Sequence, residues 1–170
     1  MNEALLDTFR HNAWATMRLL EVCGDLPQEQ LTAPGKATFG GILETLHHTV
    51  WSDAQYLARL TGDRQEWLGG DEEEIAGLDV LRTRAEETAA RWERFAGEAF
   101  DSEAQMLLDQ GTYETHAGVV LAQALHHGNA HREQVCALLT GLGLDPPDVQ
   151  AWAYAEATGQ ARELPGSGSS

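Results

Sequence analysis

Four stretches of about twenty residues repeat apolar side chains every three or four positions, and no other feature constrains the fold as much. From Glu3 to Gly24, Leu5, Leu6, Phe9, Ala13, Met17 and Leu20 fall on one helical face. From Gly40 to Leu60 the stripe is Ile42, Leu43, Leu46, Val50, Ala54 and Leu57, with Gly62 as the stop. From Leu78 to Ala99 it is Leu78, Leu81, Ala85, Ala89, Trp92, Phe95 and Ala99. The fourth stretch runs from Gly118 to Gly141 and is closed by Gly141, Gly143 and Pro146. Between the third and fourth, Met106 to Ala117 reads as a turn or short extended excursion, because Gly111 and the Thr112, Tyr113, Thr115 cluster disfavour helix. A short helix over Asp148 to Ala157 is expected to pack Trp152 and Tyr154 back on the body.

No such helix buries its stripe alone, so the pattern predicts an all-α protein: an antiparallel four-helix bundle with a short C-terminal helix. The bundle is expected to occupy residues 1–158. Residues 159–170, ending LPGSGSS, have the composition of a flexible tail.

The charge balance narrows the partners. Eleven Lys+Arg stand against 27 Asp+Glu, a formal charge of −16. So few cations cannot line a phosphate-binding groove, which argues against nucleic acid, and the same sign disfavours anionic membranes. No window approaches the ~20 apolar residues of a bilayer span, and the first residues are charged throughout rather than basic and then apolar, so a cytoplasmic protein is expected. Cys23 and Cys136 lack CxxC spacing and read as buried thiols. Of the tryptophans 14, 51, 67, 92 and 152, most are expected in the core or at its rim. The run Asp71 to Glu74 reads as a solvated loop.

Seven histidines are the unusual count. His127 and His131 are one helical turn apart, which stacks them on one face about 5–6 Å apart at Cβ. At one hundred degrees per residue both share a side with Val120, Ala124, Val135 and Leu138, which points them into the bundle, while His126 is rotated away. Buried imidazoles need partners, and a divalent cation supplies one to both. The second helix offers His47 and His48 as a third ligand. Periodicity puts His47 nearer the apolar stripe and does not select His48. His11 and His116 are expected at the surface.

The stretches HNAWATMRLL, TFGGILETLHHTVWSDAQYLARLTG and ALHHGNAHREQVCALLTGLGLDPP together resemble the DinB-like family of metal-binding four-helix bundles, also grouped as YfiT-like. The resemblance runs from the first helix to about Tyr154. It implies three metal ligands, which fall on His48, His127 and His131, and so selects His48 over His47. Arg132 and Gln134 fit the family's H-x-x-x-H-R-x-Q pattern, whereas Glu133 stands where glycine is common. An acidic residue common in the family falls on Asp53.

Three imidazoles with open positions suit Lewis-acid chemistry rather than a closed structural site. Zinc or nickel is the expected ion, with manganese or iron also compatible. Glu44, Asp53, Gln123 and Gln134 are candidate acceptors for the second ring N–H groups. The resemblance further implies a small-molecule thiol and an electrophile as substrates of a metal-dependent thiol S-transferase, and a homodimer. A metal-dependent hydrolase and a non-catalytic metal-binding bundle of the stress response are the alternatives.

Overall fold

The computed structural model describes residues 3–35, 38–72 and 74–162, so the end of the expected tail lies outside the described residues. The helices are α1 (Glu3–Cys23), α2 (Gln28–Leu31), α3 (Ile42–Thr61), α4 (Leu78–Gly97), α5 (Ala117–Gly141) and α6 (Ala151–Ala157). The long four coincide with the four apolar stripes, and Gly62 ends α3 in the left-handed conformation (φ 74°) that glycine adopts without strain. The one-turn α2 had no periodic signal. Glu44, considered as a site acceptor, instead takes the Gly41 N–H at the start of α3 (2.8 Å). Among the described residues no helix is long and apolar enough to cross a membrane.

Side-chain contacts fix how the helices run. Phe9 of α1 stacks on Trp92 of α4 (centroids 4.1 Å apart), and Arg10 pairs with Glu93. Leu19 and Leu20, about three turns on, share a cluster with Leu81 at the start of α4, so α1 and α4 are antiparallel. His48 near the start of α3 faces His127 and His131, while Leu57 near its end shares a cluster with Ala124, so α3 and α5 are also antiparallel. The other two seams are parallel. Leu43 and Leu46 share a cluster with Leu81, and Leu57 shares another with Trp92. Along α1 and α5, Phe9 clusters with Ala124, then Leu19 with Val135 and Leu139. The expected all-α bundle is thus antiparallel across two seams and parallel across two. Parallel α3 and α4 require residues 62–77 to return along the bundle, and a segment of that length can span the ~30 Å of a twenty-residue helix.

Before α5 the chain forms the expected extended excursion, a hairpin of β1 (Gln105–Leu108) and β2 (Tyr113–His116). Its turn places Asp109, Gln110 and Gly111 at positive φ. In α6, Tyr154 packs against Trp14 and His11, but Trp152 is 76% exposed, contrary to expectation. Two residues along a helix is about 200° of rotation, so both rings cannot face α1. His11 was expected at the surface. It is half-buried instead, and its Nε2–H donates to the Val149 carbonyl (2.8 Å).

The centre of the bundle is polar. Arg132 is 2% exposed, and its guanidinium donates to the Asn12 carbonyl (3.4 Å), Thr16 Oγ1 (3.2 Å) and Asn129 Oδ1. It shares a chamber of about 10 Å³ with Asp53, Thr49 and Thr88, bordered by all four long helices. Burial pushes the Asp53 carboxyl up to about 6 against the opposing pull of Arg132, and brings Arg132 down to about 10; both remain ionised at neutral pH. Gly128 completes this arrangement, since a Cβ there would lie 3.0 Å from Asn12 Oδ1 and 3.1 Å from Arg132 Nη1. Both neighbours are buried and cannot retreat into solvent. We therefore expect Gly128→Ala to cost about 1–3 kcal/mol in urea unfolding despite its better helix propensity. Gly141→Ala, on the same helix with nothing near its Cβ, should be neutral or stabilising by up to about 1 kcal/mol.

Candidate metal centre

The α3–α5 seam brings His48, His127 and His131 together, and one ring nitrogen from each lies within 4.8 Å of the others. His127 and His131 are one turn apart on α5, with ring centroids 4.3 Å apart. His48 completes the triangle at 4.9 and 4.8 Å. All three are half-buried. This corrects the expectation that the α5 pair points into the bundle: Ala124, Gly128, Arg132, Val135 and Leu139 are the buried face, Leu138 is only partly buried, and the histidines sit about one hundred degrees round, toward α3.

His47 is as buried as its periodicity predicts, 1% exposed, but it faces the returning connection. Its Nδ1 accepts the Ala76 N–H (3.1 Å). The two adjacent histidines therefore divide their roles by helix rotation, one against residues 62–77 and one toward α5.

Neighbouring acceptors set the tautomers. His131 Nδ1 lies 3.0 Å from Gln134 Oε1, which also accepts the Phe39 N–H (3.2 Å). An oxygen that accepts from an amide leaves the imidazole as donor, so His131 carries its proton on Nδ1. His48 Nδ1 lies 3.0 Å from Glu72 Oε1 and donates to it in the same way. Both rings then present unprotonated Nε2 atoms to the cluster, the arrangement in which metal-bound histidines are usually held. Gln134 was an expected acceptor. Glu72 was not: it belongs to the acidic run read as a solvated loop, and no local pattern links positions 48 and 72, because only the return of residues 62–77 along α3 joins them. Asp53 lies in the central chamber, and neither it nor Gln123 bonds a cluster histidine. Glu73 lies outside the described residues.

One pair of nitrogens already has the spacing of ligands to a shared cation. His48 Nε2 and His127 Nε2 are 3.1 Å apart. Two nitrogens bound about 2.0–2.1 Å from one ion sit roughly 3.0–3.4 Å from each other. Without an ion, the same separation is a hydrogen bond in which His127 Nε2–H donates to His48. Burial, then His131, His48 and His126, bring the His127 imidazole down to about 4. Burial also lowers His131, aided by His48 and opposed by Gln134. The α5 pair is thus neutral at physiological pH, the state that ligates metals.

Aromatic rings wall the cluster. Phe39 stacks on His48 (3.9 Å, 14°) and meets His131 edge-on (5.7 Å), while Tyr56 meets His127 edge-on (5.6 Å). Tyr56 lies two turns after His48 on the same face of α3, a spacing from which it was legible. One side opens into a groove of about 260 Å³ lined by Trp51, Ser52, Gln55, Tyr56, Arg59 and Glu72. His116, on β2 near Glu103 (3.7 Å), and exposed His126 stand outside the cluster.

A helical bundle with three imidazoles gathered on its flank from two neighbouring helices defines an all-α protein whose site could hold a metal ion. The DinB family model matches residues 1–164, and the chain belongs to that family, of which metal binding is a general property. No curated protein matches it.

The lowered His127 sets a pH dependence. Its folded value, about 4, lies below the ordinary 6.5. The unfolded chain therefore takes up a proton first as pH falls, and stability is lost between those two values. Metal-free wild type should lose more stability than His127→Gln between pH 7 and 4.5 in urea unfolding. The raised Asp53 acts in the opposite direction but equally in both proteins. Equal losses would contradict the assignment.

Proposed function

We propose that His48, His127 and His131 hold a divalent cation, and that the protein uses it as a metal-dependent thiol S-transferase, joining a low-molecular-weight thiol to an electrophile. The observation that carries the reading is the set of three imidazoles, two of them held by outward hydrogen bonds to Glu72 and Gln134, opening on a groove rather than enclosed by a fourth ligand. When bound, the ion supplies a positive centre that stabilises thiolate, the nucleophilic form, at neutral pH. Glu72 and Gln134 hold two rings in the required tautomer, and Phe39 covers one flank against water. The nitrogen donors suit zinc or nickel, and manganese or iron fall within the same chemistry. The cytoplasm, where small thiols are kept reduced, is the compartment that fits.

Elemental analysis of untagged protein tests the first half. His48→Ala, His127→Ala and His131→Ala should each lower metal affinity at least about a hundredfold, and Glu72→Gln about tenfold. His126→Ala should leave it unchanged. Full metal content in any of the three ligand variants would defeat the site. For the second half, the metal-loaded protein is assayed with a panel of thiols and electrophiles. A raised melting temperature without conjugation would instead identify a metal-stapled bundle with no turnover.

A further inference from the structure

The groove beside the histidines is chemically polarised. His48, Ser52, Tyr56 and Arg59 follow one another along one face of α3, so the groove tracks that helix for three turns. At the histidine end stands Glu72, its carboxylate bonded to His48 (3.0 Å). At the other end stands Arg59, the groove's one cation. Tyr56 joins the two: its ring meets His127 edge-on at 5.6 Å, and the Arg59 guanidinium carbon lies 5.8 Å from the same ring's centroid. A ligand reaching from the histidines to the guanidinium therefore passes along the Tyr56 ring, which borders both.

Arg59 is not consumed by structure. Its side chain is 42% exposed, and its nearest carboxylate, Asp109 of the hairpin turn, is 3.8 Å away, beyond hydrogen-bond distance. A guanidinium carries five N–H donors in a planar fork, so its recognition capacity is intact. In a chain of charge −16, a cation turned to a groove makes a local exception to a field that otherwise repels anions.

We infer that this end of the groove is a subsite for an acid: Arg59 binds the carboxylate of a small molecule whose opposite end reaches the three-histidine cluster. The inference rests on the metal reading above and adds the chemistry and orientation of the ligand. Glu72 repels a second acid at the histidine end, so the ligand lies one way round. A single guanidinium, with Asp109 nearby, matches a monocarboxylate better than a phosphate dianion.

The probes are mercaptohexanoate and mercaptohexanol, thiols of equal length that differ in the terminal acid. The full chain is loaded with cobalt(II), its metal content is measured, and each thiol is titrated through the sulfur-to-cobalt absorption band. Wild type should bind the acid roughly three- to tenfold more tightly than the alcohol. Arg59→Gln should abolish that preference. Asp109→Asn should increase it by removing the competing carboxylate, and asparagine tolerates the positive φ of that turn. Both variants should keep the wild-type cobalt content. An unchanged preference in Arg59→Gln, or a wild type that binds the two probes equally or not at all, overturns the subsite. Failure of wild type to take up cobalt overturns the metal reading, and the subsite with it.

Discussion

A guanidinium at the axis of a four-helix bundle must be satisfied from every side, because an uncompensated buried charge costs several kcal/mol. Arg132 meets that demand through Asn12 and Thr16 of α1 and Asn129 of its own helix, with the Asp53 carboxylate of α3 in the same chamber. The partners on α1 and α3 restrict the rotation of α5. Gly128, a poor helix former in mid-helix, is there because any side chain would enter the space that Arg132 and Asn12 occupy.

With Arg132 aimed at the axis, the preceding histidine cannot be. His131, and His127 one turn earlier, are carried onto the flank that faces α3, and half-burial follows from helix geometry alone. That position combines two properties that deep burial or full exposure would separate. The rings lose enough solvent to stay neutral, yet one side of the cluster remains open to a groove. The charge of the whole chain says little about this site, where imidazoles, one carboxylate and one guanidinium line a single groove.

Element by element, the periodic signal located the long helices, because each stripe is read from neighbours within one helix. The same rule placed His127 and His131 on one face, and it correctly read His47 as buried. It could not say which neighbour a face would meet. That depends on two seams being parallel, a property of the connections, and so His48 was reached through family resemblance and Glu72 was not reached at all. Arg132 was legible in principle: it falls in step with Ala124, Gly128, Val135 and Leu139, and a charge on an apolar stripe marks a buried polar network. Trp152 misled because a helix of seven residues has too few turns for its pattern to name a buried face.

The two nitrogens 3.1 Å apart in the cluster belong to residues 79 positions apart, whereas His131 lies a single turn from His127. A bond through a shared ion would therefore act on the unfolded chain as a cross-link closing a very long loop. The chain-entropy model for such closures gives about 4–5 kcal/mol for a loop of this size, against about 2 kcal/mol for the His127–His131 turn. His48 thus dominates the coupling between metal occupancy and the persistence of the fold, although it supplies only one of the three ring nitrogens.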